Sequence, residues 1–361
     1  MLRDLHLAQN ATLASDGIPL HYGDLKAEYH AGLERVVLMD RSHEGRIEAS
    51  GRDRLELLHR ISTNDLNHLE YGEGRPTVFT NANARILERA FVYNRGEKAL
   101  LITEPGRGTP LLNYLQRNIF FNDDIQLNDL SPTTNLLTLH GPRADEVIAA
   151  WSPDTAQLPA YYSAELRFGD IPVFAARRKP ISGAHWVLIV SADHAASIWS
   201  ALLETGSEHG LAPAGSLTYN ALRIRAGQPA IGRELSLDYI PLEAGLWDEV
   251  SFTKGCYTGQ EIIARMESRN RLAKTMVTLT LAASANAPAD LYHDGHKIGT
   301  LTSSVTTPDD EHLGIGFVKV NAAMLGLQMG VGDQGIPATI TGLAGAPPPQ
   351  LAVNSSPQED A

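Results

Sequence analysis

The hydrophobic pattern of this chain changes its period near residue 270, and that switch constrains the fold more than any other feature. Before it, helical and strand patterns interleave. Arg52 to Ile61 places Leu55, Leu58 and Ile61 at helical spacing after a Ser50-Gly51 start signal. Thr109-Pro110 reads as an N-cap followed by Pro at the first helical position, and Gly141-Pro142 repeats the device before RADEVIAAW. Further helices are expected from Asp193 to Glu204 and from Ser216 to Ala226, the last stopped by Gly227. Strand patterns lie between them at Glu88 to Tyr93, Ala99 to Thr103, Asn135 to Leu139 and His185 to Val190. Their irregular spacing fits α+β sheets covered by helices better than a doubly wound sheet.

Beyond residue 275 only the strand period remains. MVTLTL alternates, LGIGFVKV and Ile336 to Ile340 follow, and Asp294-Gly295 sits as a two-residue hairpin turn between Tyr292-His293 and His296-Lys297. Short strands with glycine turns over about 70 residues suggest a small barrel. The expected organisation is an α+β region over 1–270, a β-barrel over 275–345 and a Pro-rich, acidic, disordered tail over 346–361.

Composition narrows the chemistry. The 361 residues carry a formal net charge of −12, so any anion or nucleic acid must meet a local basic patch rather than the whole surface. The single cysteine excludes a disulfide framework and a cluster or zinc site built on several thiolates of this chain alone. It suits a reducing cytoplasm, and no apolar run near the N-terminus resembles a signal segment or membrane span. Among the residues no P-loop, nucleophile-elbow serine or paired-histidine zinc motif occurs, and no metal site is expected.

That cysteine, Cys256, lies in Lys254-Gly255-Cys256-Tyr257-Thr258-Gly259-Gln260-Glu261, just before a helical pattern that carries Ile262, Ile263 and Met266 on one face. Free N–H groups at a helix start, with Lys254 nearby, favour a thiolate. A lone cysteine equally suits a buried core position, so both roles stand open here. Upstream, Glu243 is framed by apolar residues in Ile240-Pro241-Leu242-Glu243-Ala244-Gly245-Leu246. Such a carboxylate can accept two hydrogen bonds from the edge of a pterin or can pair with an arginine. Tyr239 and Trp247 can stack on a flat ring or fill the core. Arg265, Arg269, Arg271 and Lys274 can complement the helix dipole or seat carboxylates.

Lys254 to Glu261 resembles the signature of the YgfZ-type folate-binding branch of the aminomethyltransferase (GcvT) superfamily and its mitochondrial counterpart in iron–sulfur assembly. The block around Glu243, Thr63-Asn64-Asp65-Leu66 and Leu139-His140-Gly141-Pro142 occur in the order of that superfamily, so the resemblance spans roughly residues 30 to 345. It implies a three-lobed fold with two α+β lobes, one ferredoxin-like, and a C-terminal small β-barrel. It also implies tetrahydrofolate as cofactor, with Glu243 reading the pterin, Tyr257 and Trp247 beside it, and Arg265 and Arg269 near the glutamyl tail. Where aminomethyltransferases carry an acidic pair, this chain has Glu88 and Arg89, which argues against glycine-cleavage activity.

The function implied is an accessory factor in iron–sulfur cluster assembly or repair, acting through Cys256 with Lys254 beside it. Its partners would be folate and either assembly proteins or cluster-containing client enzymes, without a membrane. A folate-dependent one-carbon transferase or demethylase is the alternative. A tRNA-modification factor is a third, disfavoured by the acidic net charge.

Overall fold

The computed structural model of the chain describes residues 2–269 and 272–346; Arg271 and the tail from 347 lie outside the described residues. Two compact units emerge. The first comprises 1–61, 65–77 and 88–223, and the second 62–64, 78–87 and 224–361.

The first unit contains a six-stranded sheet in the order Ser163–Phe168, Ile171–Arg178, Ala184–Ser191, Thr134–Gly141, Val36–Asp40 and Leu211–Pro213. Only the last pairing is parallel. Trp186, Leu188 and Val190 pack against the helices Ala144–Trp151 and Ala195–Thr205, while Val187 and Ile189 face a second cluster with Tyr93, Leu100 and Ile102. Both faces are thus dry, which is why His185 to Val190 reads as a continuous apolar run instead of an alternating one. A second sheet orders Gly74–Thr80, Ile86–Asn94, Lys98–Pro105, Glu44–Ser50 and Gln126–Asp129.

The five helices expected up to Gly227 form, four of them with shifted starts. The helix Gly108–Arg117 begins before Thr109, and Arg107 occupies the capping position without a side-chain cap. Pro110 still falls in the first turn, where its missing N–H has no intrahelical acceptor to lose. Gly141 ends a strand rather than capping a helix, and Ala144–Trp151 starts after Arg143 with Asp145 and Glu146 in its first turn. Those carboxylates complement the N-terminal end of the dipole.

A polar cluster is buried inside the same unit. Glu44 accepts from Arg41 Nε at 2.9 Å and from Arg178 Nη1 at 3.4 Å. Each guanidinium lies on an aromatic ring, Arg41 on Tyr219 at 3.8 Å and Arg178 on Phe91 at 3.9 Å. The His140 and His185 rings sit 4.2 Å apart in the same interior. Burial, reinforced by the nearby arginines, pushes His43 down to about 4 and His140 to about 3, and His185 well below its ordinary value.

In the second unit six strands close into a barrel in the order Lys274–Leu281, His312–Lys319, His296–Thr306, Ala289–His293, Gln328–Val331 and Ile336–Leu343. The expected hairpin is present, and Asp294 and Gly295 both adopt positive φ, +48° and +74°. Two left-handed residues give the turn the twist its flanking strands require. The barrel interior packs Val277, Leu279, Leu291, Leu301 and Val318. Glu234 is fully buried and accepts from Thr302 Oγ1 at 2.6 Å and Ser303 Oγ at 2.7 Å, joining the segment before the candidate site to a barrel strand. Among the described residues no helix is long and apolar enough to cross a membrane.

These three imidazoles, His140 and His185 buried and His43 partly buried, generate a pH dependence. Their folded pKa values lie below the unfolded value near 6.5, so unfolding takes up protons below that pH and stability is lost as pH falls. Urea unfolding followed from about pH 7 to about pH 5, above most carboxylate titration, should show a loss on the order of a few kcal/mol. A flat profile over that window would show that these histidines are charged in the fold.

Candidate functional site

The candidate site belongs wholly to the second unit and starts from a turn. Asn81 Oδ1 accepts from the N–H groups of Asn83 at 2.9 Å and Arg85 at 3.0 Å, and the buried Ala84 takes a left-handed φ of +57°. This local side-chain bonding stabilises a conformation that a β-branched residue could not adopt without strain. It presents Arg85, whose Nη1 donates to the Asp238 carbonyl at 2.7 Å and lies 3.7 Å from Glu243 Oε2.

Glu243 is buried, its side chain only 6% exposed. Its Oε2 also accepts from the Ile240 N–H at 3.2 Å, while Oε1 has no hydrogen-bond partner among the described residues. Burial raises the carboxyl pKa, opposed by the Ile240 hydrogen bond and by the charges of Lys274 and Arg85. The carboxylate lines a cavity of about 440 Å³ with Asn83, Arg85, Ile240, Ile262 and Met266. Apolar walls with a few convergent polar groups are the ordinary make-up of a small-molecule site. Arg85, remote in sequence, is the member that local reading of Glu243 missed; its visible signal was its place in the run Asn83 to Arg89.

The octapeptide is pinned inward at two points. Lys254 is buried, and its Nζ donates to the carbonyls of Ser62 at 2.7 Å and Asn64 at 2.9 Å. Tyr257 is also buried, its ring 5.1 Å from that ammonium, and burial pushes its hydroxyl up to about 12. Gly255 and Cys256 between them are exposed, and the thiol is free. The helix Gln260–Ser268 then starts at Gly259, as the periodicity suggested.

The remaining site residues fall into different settings. Trp247 and Tyr257 pack with Ala84, Leu242, Val250 and Ile263 in a cluster that shares Ile240 with the cavity wall. Tyr239 stacks on Phe317 with centroids 3.4 Å apart. Arg265 is exposed and held by Glu261 one turn away at 2.6 Å, and Arg269 is exposed at the helix end. Neither is among the residues that line the Glu243 cavity. In the first unit Glu88 pairs with Arg107, and Arg89 pairs with Glu104 at 3.1 Å.

Comparison with known proteins agrees with this architecture. The fold is that of a glycine-cleavage aminomethyltransferase T-protein from Bartonella henselae, at a TM-score of 0.83 and 22% identity over 94% of this chain and 95% of that one. The α+β fold with a small C-terminal barrel implied by the octapeptide is therefore the fold observed. The chain matches the GCVT N-terminal domain over residues 5–254 and belongs to that aminomethyltransferase-like family. It is 34% identical to a provisionally named chloroplastic transferase of Arabidopsis thaliana, over 89% of this chain and 74% of that protein. It is 26% identical to an aminomethyltransferase of Shouchella clausii, over 88% of each.

Gly259 is the residue on which this arrangement tolerates least change. Its φ is +87°, and a Cβ there would stand 2.8 Å from the Asn81 carbonyl and 2.9 Å from Ala84 Cα. Gly259→Ala should cost about 1–3 kcal/mol from backbone strain alone. Urea unfolding would measure it; an unchanged midpoint would show that the close approach does not exist in solution.

Proposed function

We propose that this protein binds tetrahydrofolate through Glu243 and serves as a YgfZ-type accessory factor in the assembly or repair of iron–sulfur clusters. The observation that carries the reading is the Glu243 carboxylate at the wall of its cavity, with one oxygen bonded and the other without a partner among the described residues. An amidine-like N–H edge of a pterin supplies donors for such an oxygen. Burial raises the carboxyl pKa, and the Ile240 hydrogen bond, Lys274 and Arg85 oppose that rise and favour the charged form that accepts hydrogen bonds. Membership of the GCVT family supports the choice of folate.

Cys256 supports the accessory role. It is exposed on a two-residue projection whose flanks are anchored, the setting of a thiol that meets another macromolecule. One thiolate cannot hold a cluster, so remaining ligands come from a partner protein or client enzyme. Lys254 acts here by holding the loop, since its ammonium is engaged with two carbonyls.

One-carbon transfer is the second reading, favoured by relatives named as transferases and aminomethyltransferases. Against glycine-cleavage chemistry, Glu88 and Arg89 are both committed to ion pairs. The tRNA reading loses its best contact, because Arg265 is paired with Glu261.

Two substitutions divide these readings. Tetrahydrofolate at about a hundred times its dissociation constant should stabilise the wild type by about 3 kcal/mol, and Glu243→Ala should abolish the rise. Equal stabilisation of both proteins would remove Glu243 from the site. Cys256→Ser should leave folate binding intact while lowering the activity of a cluster-dependent enzyme in cells that lack the wild-type gene. Normal activity there, with methylene-tetrahydrofolate formed from a methylamine donor in vitro, would replace the accessory role by the transferase.

A further inference from the structure

The polar interior of the first unit holds more positive charge than negative. Arg41, Arg46, Arg89 and Arg178 bring four guanidiniums into one another's field, and Asp40, Glu44 and Glu104 bring three carboxylates. Asp129 also reaches Arg46, but it is exposed and its charge is screened by water. Arg89 is matched by Glu104 at 3.1 Å, whereas the single carboxylate of Glu44 is divided between Arg41 and Arg178. A buried charge without a full counter-charge is costly.

The surplus is localised on Arg178, whose side chain is 6% exposed. Its Nη1 reaches Glu44 Oε2 at 3.4 Å, and Phe91 covers one face of the guanidinium. Nε and Nη2 are buried and have no hydrogen-bond partner among the described residues. Those two N–H groups share one edge of the planar fork and point the same way, the geometry that grips a carboxylate with two parallel bonds. The neighbouring Arg46 shows a complete set for contrast. Its Nε donates to Thr134 Oγ1, and its terminal nitrogens donate to the carbonyls of Ser42, Ser131 and Thr134. Tyr93 stands beside the open edge of Arg178. It is fully buried, its hydroxyl also lacks a partner among the described residues, and Arg178 is the charge that most opposes the burial-driven rise of its pKa. Each buried donor left unmade costs free energy, most of all a charged one.

A water molecule could accept from one or both N–H groups, but it would leave the charge uncancelled. A planar monoanion with two oxygens on one side answers both needs. Arg178 is also the last residue of its strand, and residues 179–183 after it are half-buried or exposed, so the open edge lies at the rim of the sheet.

We propose that the free edge of Arg178 binds a small monocarboxylate of the formate or acetate class, which Tyr93 holds by a third hydrogen bond. The site belongs to the first unit alone and does not rest on the folate reading.

The test is thermal unfolding of the full-length protein, dialysed into gluconate, an anion too bulky for this interior, and titrated with formate or chloride at constant ionic strength. Formate at about a hundred times its dissociation constant should raise the wild-type midpoint by about 5 °C or more, and chloride by much less. Arg178→Lys keeps the charge without the paired donors and should weaken formate binding by about tenfold or more. Tyr93→Phe should weaken it by about threefold to tenfold. Arg143→Gln, which removes an exposed guanidinium paired with Glu146 in the same unit, should keep the wild-type response. Equal midpoints in formate and gluconate would overturn the proposal. An equal rise with chloride would overturn the carboxylate assignment, and an undiminished response in Arg178→Lys would overturn the site. Should the Arg178 and Tyr93 variants fail to fold, a crystal structure of the wild type grown in formate decides. Formate on Nε and Nη2 would uphold the proposal, and water alone there would overturn it.

Discussion

The ammonium of Lys254 sits out of water against two carbonyls that lie almost two hundred residues earlier in the chain. Removing an ammonium from solvent costs several kcal/mol, and charge-assisted hydrogen bonds of about 1.5–3 kcal/mol each offset that cost only while both carbonyls stay in place. The conformation of the octapeptide and the position of Ser62 to Asn64 are thus one constraint. Thr63 adds to it, since its hydroxyl donates to the Glu249 carbonyl at 2.7 Å. With Tyr257 buried on the other side, the backbone has no freedom except to carry Gly255 and Cys256 outward. The exposure of the thiol is a consequence of burying its neighbours.

Glu243 shows the same economy at the cavity. A buried carboxylate without counter-charge takes up a proton, and then presents a hydroxyl donor in place of an acceptor. Arg85 approaches from a turn built by Asn81, and Lys274 from the first barrel strand. Both also donate to the Asp238 carbonyl, so the two cations are fixed by a common backbone acceptor rather than by the carboxylate itself. Glu243 therefore keeps an unengaged oxygen while gaining the field of two positive charges.

Much of this was legible in the sequence. The barrel was visible because each strand has one dry face, and the Asp294-Gly295 turn because few other residue pairs accept two positive φ values in succession. The start of the helix Gln260–Ser268 followed from its periodicity. Less legible were strands such as Val36–Asp40 and Ile171–Arg178, which are buried on both faces and have no alternation to reveal them. At the site, local reading found Glu243 and Cys256 but left their settings open. Whether Glu243 met an arginine depended on residue 85, and whether Trp247 was a stacking platform depended on what filled the space around it. Such outcomes are properties of contacts between distant segments, which no window of residues contains. The role expected of Lys254 changed for the same reason, because its partners lie at positions 62 and 64.

Among the described residues, the second compact unit is assembled from three separated stretches, 62–64, 78–87 and those from 224 onward. During synthesis the first two emerge long before the segments that complete them, and the carbonyls of Ser62 and Asn64 wait for a lysine still to be translated. Closing so long a loop is slow, and exposed apolar residues such as Val78 and Ile86 are hazards until it closes. A chain built this way cannot finish its site one domain at a time from the ribosome. The cavity that Glu243 and Arg85 line is complete only once segments from both ends of that order have met.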